Sequence, residues 1–361
     1  MKLNSINSYY YINFKAKIID SHGHVGSWKE NDKLIDYTKD IDVFIKNTLD
    51  NGDTVEKILV SNLDCMAKNE KGDFLLDELN GNKNLLNLVN KNEKLAAMAT
   101  CQPGYGNVNN IKKLIEENPK KFIGLKFHPE QLNLAANNKA YEPYMEFAAK
   151  EKLPCLFHSG SSNVSNPDHI YELAKKYPDV KVIMAHWGAE QGGNYDKVTE
   201  IIIESVKTKN SQIYADISWV DCNDSTKPTL KKIIKHLKKE NALDRILFGS
   251  DAPLGRFGGN GENGVSPQKA YSNLIDDIKN MIKREFPDNE SEEIIDKIFY
   301  KNSKNLFFEK EIPPETVVKN NKHLKVLIGS IIAAVGSYCL VRSYKNSKKQ
   351  PDDEKSFSKV V

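Results

Sequence analysis

The sequence predicts an α/β protein of the (β/α)8 TIM barrel class, extended at its C-terminal end by a single hydrophobic helix. Three observations indicate the barrel. Eight short apolar segments alternate with polar stretches of helical periodicity, as parallel strands buried on both faces require. No glycine-rich phosphate loop follows the first segment, where an open doubly wound sheet would carry one. Polar side chains of the types that bind metals follow several of the segments, at the end where such barrels place their chemistry.

The predicted strands are short runs rich in Ile, Val, Leu and Phe, each followed by a turn. They cover residues 16–20, 57–61, 95–101, 122–127, 154–157, 181–185, 212–217 and 245–249. Between them, apolar residues recur every three or four positions, which predicts helices. These include residues 40–49, 111–117, 141–151, 167–177, 196–207 and 229–239.

Composition narrows the classes of function. The 361 residues, 39% of them hydrophobic, are enough to bury a sizeable core. The 52 basic and 49 acidic residues leave a net charge of only +3, which argues against nucleic acid as the main partner. The 5 scattered cysteines are typical of reduced thiols in a cytoplasmic protein.

The ends of the chain differ in character. Residues 1–15 form a polar extension without the features of a secretory signal, so we expect a protein that is not secreted. The barrel is predicted over 16–310, followed by a linker at 311–325, an uncharged segment at 326–341 and a basic tail at 342–361. As a helix, the uncharged segment would span about 24 Å, against about 30 Å for a hydrocarbon core. We expect it to anchor a cytoplasmic catalytic domain to a membrane; a buried C-terminal helix is the alternative.

The histidines indicate a metal centre. His22 and His24 lie two apart at the end of the first strand, so both imidazoles point to the same face and can bind one ion. Further candidate groups stand at the ends of later strands: Lys126, His128, His158, His186 and Asp251. A histidine at one strand end has an ordinary structural explanation, but this concentration favours a metal site at the mouth of the barrel.

On these residues the chain resembles the amidohydrolase superfamily. Within it, the chain is similar to the amidohydrolase-2 family of metal-dependent hydrolases, which also contains aminocarboxymuconate semialdehyde decarboxylase. The resemblance covers about residues 16–309. It implies that His22, His24, His158 and Asp251 ligate one divalent metal ion, most often Zn²⁺, with His186 beside it.

This ligand set agrees with elementary chemistry. Three imidazoles and a carboxylate leave room for a water whose pKa zinc lowers toward about 7. Asp251 would both touch the metal and accept the proton of that water. His186 would polarise a substrate carbonyl or act as general acid or base, two roles that the spacing does not separate.

Lys126 has three interpretations: a carboxylated bridge to a second metal, a cation that binds a substrate carboxylate, or a solvated lysine at the rim. We favour the second. Trp28, Trp187 and Trp219 follow strand ends and either line a pocket for a flat substrate or plug the top of the barrel. Arg256, after the last strand, is either a partner for an anionic group or solvated.

The sequence therefore predicts a metal-dependent hydrolase that acts on a small, cyclic or carboxylated substrate. The main alternative is a non-oxidative decarboxylase with the same metal and the same histidines. A third class is a non-catalytic, membrane-tethered binding protein on the same barrel. That class would show erosion of the ligand set, and every expected ligand type is present.

Overall fold

Eight parallel strands in chain order form the sheet at the centre of the computed structural model, which describes residues 15–30, 33–44, 49, 51–189, 193–222, 229–254 and 265–309. In chain order the strands are β1 (Lys17–Val25), β2 (Ser27–Glu30), β3 (Lys33–Asp36), β4 (Thr54–Asn62), β5 (Leu95–Thr100), β6 (Phe122–Phe127), β7 (Cys155–Phe157), β8 (Lys181–Met184), β9 (Gln212–Asp216) and β10 (Ile246–Leu247). β2 and β3 pair only with each other, as an antiparallel hairpin. The other strands follow the order β1-β4-β5-β6-β7-β8-β9-β10.

Hydrogen bonds between the first and last strand segments close the sheet. The Ser21 amide donates to the Phe248 carbonyl at 2.9 Å, and the Asp251 amide donates to the His22 carbonyl at 2.8 Å. The predicted TIM barrel is therefore confirmed, with a strand at each of the eight predicted positions. The last strand is shorter than predicted because the preceding residues form a 3₁₀ turn at Leu243–Arg245.

Helices connect the strands. The α-helices of the described residues are Ile41–Phe44, Glu78–Lys91, Val108–Glu117, Pro129–Leu132, Glu142–Glu151, Pro167–Lys176, Tyr195–Thr208, Thr229–Lys239, Pro267–Glu285, Asp288–Asp296 and Asn302–Phe307. A π-helical turn lies at Lys297–Lys301, and 3₁₀ turns lie at Leu63–Cys65, Lys139–Tyr141, Ala185–Gly188 and Leu243–Arg245. Several helices begin at a side chain that accepts a backbone N–H of the first turn, as at Asp77 and Asn166.

The strands bury both faces. One large apolar cluster contains the outward residues of the strands, such as Ile58 and Val60, together with the inner faces of the helices. A smaller cluster contains alternate strand residues, including Ile19, Leu59 and Leu156. Because side chains alternate along a strand, this second cluster fills the barrel interior. The polar strand ends lie beyond this packed layer.

An ion pair joins the 19-residue helix Pro267–Glu285 to the barrel. Lys279, on Pro267–Glu285, lies 2.8 Å from both carboxylate oxygens of Asp53, directly before β4. Asp53 is fully buried and also accepts the Ala16 backbone N–H at 2.7 Å. The carboxylate therefore joins the starts of two strands to the outer helix layer.

The expected membrane attachment requires correction. Within the described residues, no helix is both long and apolar enough to cross a membrane. The segment 326–341 on which the expectation rested lies outside the described residues. Its uncharged run holds fewer than the roughly 20 residues that a membrane-crossing helix needs, which is the physical reason for withdrawing the transmembrane assignment.

Candidate metal centre

Side chains from the first and last strand segments converge at the C-terminal mouth of the barrel. His22 and His24 lie on β1, and Asp251 follows β10. The two histidine Nε2 atoms are 3.2 Å apart, and Asp251 Oδ1 lies 2.9 Å from Nε2 of His24 and 3.2 Å from Nε2 of His22. These three residues form one of the two groups in the described part of the chain that bring three ligand atoms within 4.8 Å of one another.

The spacing of these atoms suits a small divalent cation. Ligands at about 2.0–2.2 Å from a tetrahedral zinc ion lie roughly 3.3 Å from one another. The three separations at this site, 2.9, 3.2 and 3.2 Å, are close to that edge length. Two imidazole nitrogens and a carboxylate oxygen are also donors that zinc accepts. The residues present therefore fit a metal ion.

Asp216, at the end of β9, hydrogen-bonds residues of the site on the side away from the ligand atoms. Its Oδ2 accepts Nδ1–H of His22 at 3.0 Å, which leaves the Nε2 lone pair directed at the centre. Its Oδ1 accepts the backbone N–H groups of His186 at 3.1 Å and Ser218 at 3.0 Å, and the Ser218 hydroxyl as well. Asp216, His22 and His186 make up the second group of close ligand atoms.

The hydrogen bonds also assign the tautomer of His186. The Ser218 hydroxyl donates its proton to Asp216, so its oxygen accepts Nδ1–H of His186 at 2.7 Å. Nε2 of His186 is then an acceptor, and it lies 3.3 Å from Nδ1 of His158. His24 has a similar support, because its Nδ1 lies 3.0 Å from the Ser61 hydroxyl, which can donate or accept. The imidazoles are thus held by fixed partners on their far sides.

Burial sets the charge state of the site. Desolvation lowers the pKa of His24 to about 4, although Asp251 opposes the shift, and desolvation also holds the pKa of His186 well below its usual value. Burial alone would raise the pKa of Asp251, but His22, His186 and His24 together hold it well below its usual range. A neutral imidazole at His24 and an ionised carboxylate at Asp251 are protonation states that metal binding requires.

A row of aromatic rings leads away from the centre. The His158 ring stacks on the His128 ring, with centroids 3.9 Å apart and an interplanar angle of 11°. The His128 ring in turn stacks on Trp28, with centroids 6.2 Å apart. On the other edge of His158, Nε2 lies 3.3 Å from a carboxylate oxygen of Glu130. His158 therefore contacts His186 and Glu130, and it lies beside the group of His22, His24 and Asp251 without being one of its members.

Lys126 lies inside the site. Its side chain is fully buried, and Nζ lies 2.7 Å from Nε2 of His22. This position excludes the interpretation of Lys126 as a solvated lysine at the rim. Arg256, the other predicted cation, lies outside the described residues.

The tryptophans differ from one another. Trp187 is fully buried, and its Nε1–H donates to the Thr199 hydroxyl on the helix Tyr195–Thr208 at 3.0 Å. Trp219 is 48% exposed and donates to Oδ2 of Asp251 at 2.8 Å. Trp187 thus packs into the outer core, whereas Trp219 belongs to the site.

Four site residues were not predicted from the sequence: Asp216, Glu130, and Ser61 and Ser218 with their partner hydroxyls. Asp216 carried the same signal as the residues that were found, a carboxylate at the end of an apolar run in Gln212–Asp216. Glu130 gave no such signal, because it follows a proline inside a short helix, Pro129–Leu132. The left-handed backbone of His186 and Asp251, with φ values of 59° and 62°, also had no sequence signature.

Comparison with known proteins agrees with the fold and with the resemblance to the amidohydrolase-2 family. The family model described as Amidohydrolase (Amidohydro_2) matches residues 101–308. No curated protein sequence matches the chain.

Solved structures share the barrel. The chain is similar to a probable 2-pyrone-4,6-dicarboxylic acid hydrolase from Acinetobacter baumannii with bound citric acid, at 17% identity and a TM-score of 0.53, covering 80% of this chain and 98% of that one. It is similar to 5-carboxyvanillate decarboxylase from Novosphingobium aromaticivorans, in complex with manganese and a nitrobenzoic acid, at 10% identity and a TM-score of 0.53, covering 82% and 97%. A TIM-barrel protein from Bordetella bronchiseptica matches at 15% identity and a TM-score of 0.51, covering 80% and 98%. At such identities the likeness concerns the fold.

Proposed function

The chain belongs to the amidohydrolase family, and from that premise we propose that it is a metal-dependent hydrolase acting on a small, cyclic or carboxylated molecule. The observation that carries the proposal is the convergence of His22 Nε2, His24 Nε2 and Asp251 Oδ1 within 3.2 Å of one another. Bringing two buried imidazole nitrogens and a carboxylate oxygen this close together costs free energy unless a cation lies between them.

We assign these three side chains as ligands of one divalent ion, with Zn²⁺ as the proposed metal. The family resemblance adds His158 as the fourth ligand. When bound, the ion would supply a Lewis acid that lowers the pKa of a water toward about 7. A second ion would require carboxylation of Lys126.

The protein side chains would handle the protons. Asp251 is held ionised, and its Oδ1 lies 2.9 Å from Nε2 of His24 at the metal position, so it would accept a proton from the attacking water. His186 would exchange a proton at Nε2, since its Nδ1–H is committed to Ser218. These roles make His186 and Asp251 the proposed catalytic residues.

Three side chains are proposed to bind the substrate. Lys126 lies beside His22 and would pair with a carboxylate that reaches the metal position. Trp28 belongs to the stacked row of rings and would receive the flat face of a cyclic substrate. Arg256 remains a proposed partner for an anionic group.

A carboxy-lyase is the second candidate. Two features favour it: Lys126 is buried beside the ligand atoms, and a row of aromatic rings is stacked next to them. Together they would orient a planar acid. In that reaction Nε2 of His186 would first take up a proton from water and then deliver it to the carbon that has lost its carboxyl group, since the Nδ1–H is donated to Ser218.

A substrate panel separates the two reactions. Metal-loaded protein would be offered lactones, esters and amides of small acids, and in parallel planar aromatic acids, with acid release and carbon dioxide release as readouts. We expect hydrolysis without carbon dioxide, abolished by a chelator and lowered about 10²–10⁴-fold in His186→Gln. Carbon dioxide release from the aromatic acids alone would establish the lyase instead. Failure of the chelator to lower either activity would overturn the metal-dependent mechanism.

A further inference from the structure

We infer that Trp219 is a positioning residue that holds the Asp251 carboxylate with one oxygen toward the metal position, an inference that rests on the proposed metal centre. The two oxygens of Asp251 have separate partners. Oδ1 faces the Nε2 atoms of His24 and His22 at 2.9 and 3.2 Å. Oδ2 accepts the indole N–H of Trp219 at 2.8 Å. The indole N–H therefore bonds Oδ2, the carboxylate oxygen that does not face the two histidines.

Exposure indicates that core packing does not explain the position of Trp219. Its side chain is 48% exposed, whereas Trp187, one strand earlier, is fully buried. A half-exposed indole forgoes much of the roughly 25 cal/mol per Å² that apolar burial provides. The polar end of the ring is the end that is engaged, because Nε1–H points at a carboxylate with 6% exposure.

The backbone is also specialised at both ends of this contact. Trp219 and Asp251 have φ values of 61° and 62°, in the left-handed region. That conformation costs a residue with a side chain about 1–2 kcal/mol. The Asp251 amide is fixed separately by the His22 carbonyl at 2.8 Å. Two anchors, one on the backbone and one on Oδ2, thus define the orientation of the carboxylate.

Trp219 completes a common support for the site. Residues 216–219, which begin with the last residue of β9, hold His22 through Asp216, His186 through Ser218, and Asp251 through Trp219. Without the indole N–H, the Asp251 carboxylate would be free to rotate about its terminal torsion and Oδ1 would lose its fixed direction. Loss of a hydrogen-bonding partner behind a metal ligand typically weakens metal binding about 10–100-fold.

The test measures metal affinity and tryptophan emission in three proteins. Metal-free wild type, Trp219→Phe and Trp28→Phe would be titrated with Zn²⁺ against a competing chelator while emission is recorded. Phenylalanine keeps the ring at position 219 and removes the donor. The Trp28→Phe protein is the matched control, because Trp28 also stands near the mouth and contacts His128 instead of Asp251. Thermal unfolding of the metal-free proteins would check that each variant is folded.

We expect Trp219→Phe to bind Zn²⁺ about 10–100-fold more weakly than wild type, with Trp28→Phe unchanged. We also expect the emission change on metal binding to persist in Trp28→Phe and to disappear in Trp219→Phe. Equal affinity in wild type and Trp219→Phe would overturn the inference and leave the metal centre intact. Absence of Zn²⁺ binding by wild type would overturn the proposed metal centre and the inference with it.

Discussion

At the residue scale, the ligand histidines depend on partners that a sequence motif does not contain. His22 presents Nε2 to the centre because Asp216 accepts its Nδ1–H at 3.0 Å. The carboxylate accepts only, so it fixes one tautomer of the ring. The His-x-His pattern supplies the ligands, and the end of β9 supplies their orientation.

Exchange of Asp216 for Asn tests this dependence. An amide can donate to Nδ1 of His22 and thereby stabilise the tautomer whose Nε2 carries hydrogen. We expect Asp216→Asn to bind Zn²⁺ about 10–100-fold more weakly than wild type in a chelator competition. Asp196→Asn, an exposed carboxylate in the helix Tyr195–Thr208, is the control and should bind like wild type. Unchanged affinity in Asp216→Asn would refute the assigned role.

The free energy of unfolding at acid pH depends on the burial of His24. Its pKa of about 4 in the folded protein lies below the usual value of 6.5. Between these values the unfolded chain binds a proton that the folded chain does not, so the free energy of unfolding falls as the pH is lowered through this window. From pH 7 to pH 5, His24 alone should remove about 2 kcal/mol.

Urea unfolding of metal-free protein at pH 7 and pH 5 measures this contribution. The loss of stability between the two pH values should be smaller in His24→Asn than in wild type by about 2 kcal/mol. His236→Asn is the control, because His236 lies on the exposed face of the helix Thr229–Lys239. An equal loss in all three proteins would mean that His24 is not held neutral by burial.

At the element scale, the helix Pro267–Glu285 is fixed to the barrel by the buried pair of Lys279 and Asp53. Removing one partner leaves an uncompensated buried charge, which typically costs about 3–5 kcal/mol. We expect Lys279→Met to lower the free energy of unfolding by that amount. The double variant Lys279→Met with Asp53→Asn should be less destabilised than the sum of the two single variants.

The exposed pair of Lys232 and Asp196 provides the comparison. Its atoms are 3.1 Å apart, but the two side chains are 70% and 79% exposed. Lys232→Met should therefore change the free energy of unfolding by less than about 1 kcal/mol. Similar effects of Lys279→Met and Lys232→Met in urea unfolding would contradict the account of the buried pair.

At the scale of the whole molecule, the barrel could be predicted because strand burial leaves a repeated apolar signal. Strand ends are equally regular, so His22, His24 and Asp251 could be located before their distances were known. The same rule, applied to Gln212–Asp216, would have found Asp216. Long-range contacts could not be predicted in this way. Trp219 and Asp251 are 32 positions apart, and no local sequence pattern indicates that they meet.

The C-terminal segment 326–341 was assigned wrongly although its apolar character is evident in the sequence. As a helix its sixteen uncharged residues would span about 24 Å, short of a hydrocarbon core of about 30 Å, and the expectation gave the uncharged composition more weight than this shortfall. Hydropathy identifies an apolar run, but length decides whether a helix can span a bilayer. The assignment of a tail anchor was wrong on that criterion.

The metal content of the purified protein tests whether His22, His24 and Asp251 form a metal centre. Elemental analysis would compare wild type, His22→Ala and the surface control His236→Ala, all purified without added metal and again after exposure to Zn²⁺. We expect about one equivalent of divalent metal in wild type and in His236→Ala, and almost none in His22→Ala. Wild-type protein that holds no metal even after exposure, or His22→Ala protein with undiminished content, would contradict the assignment of a metal centre.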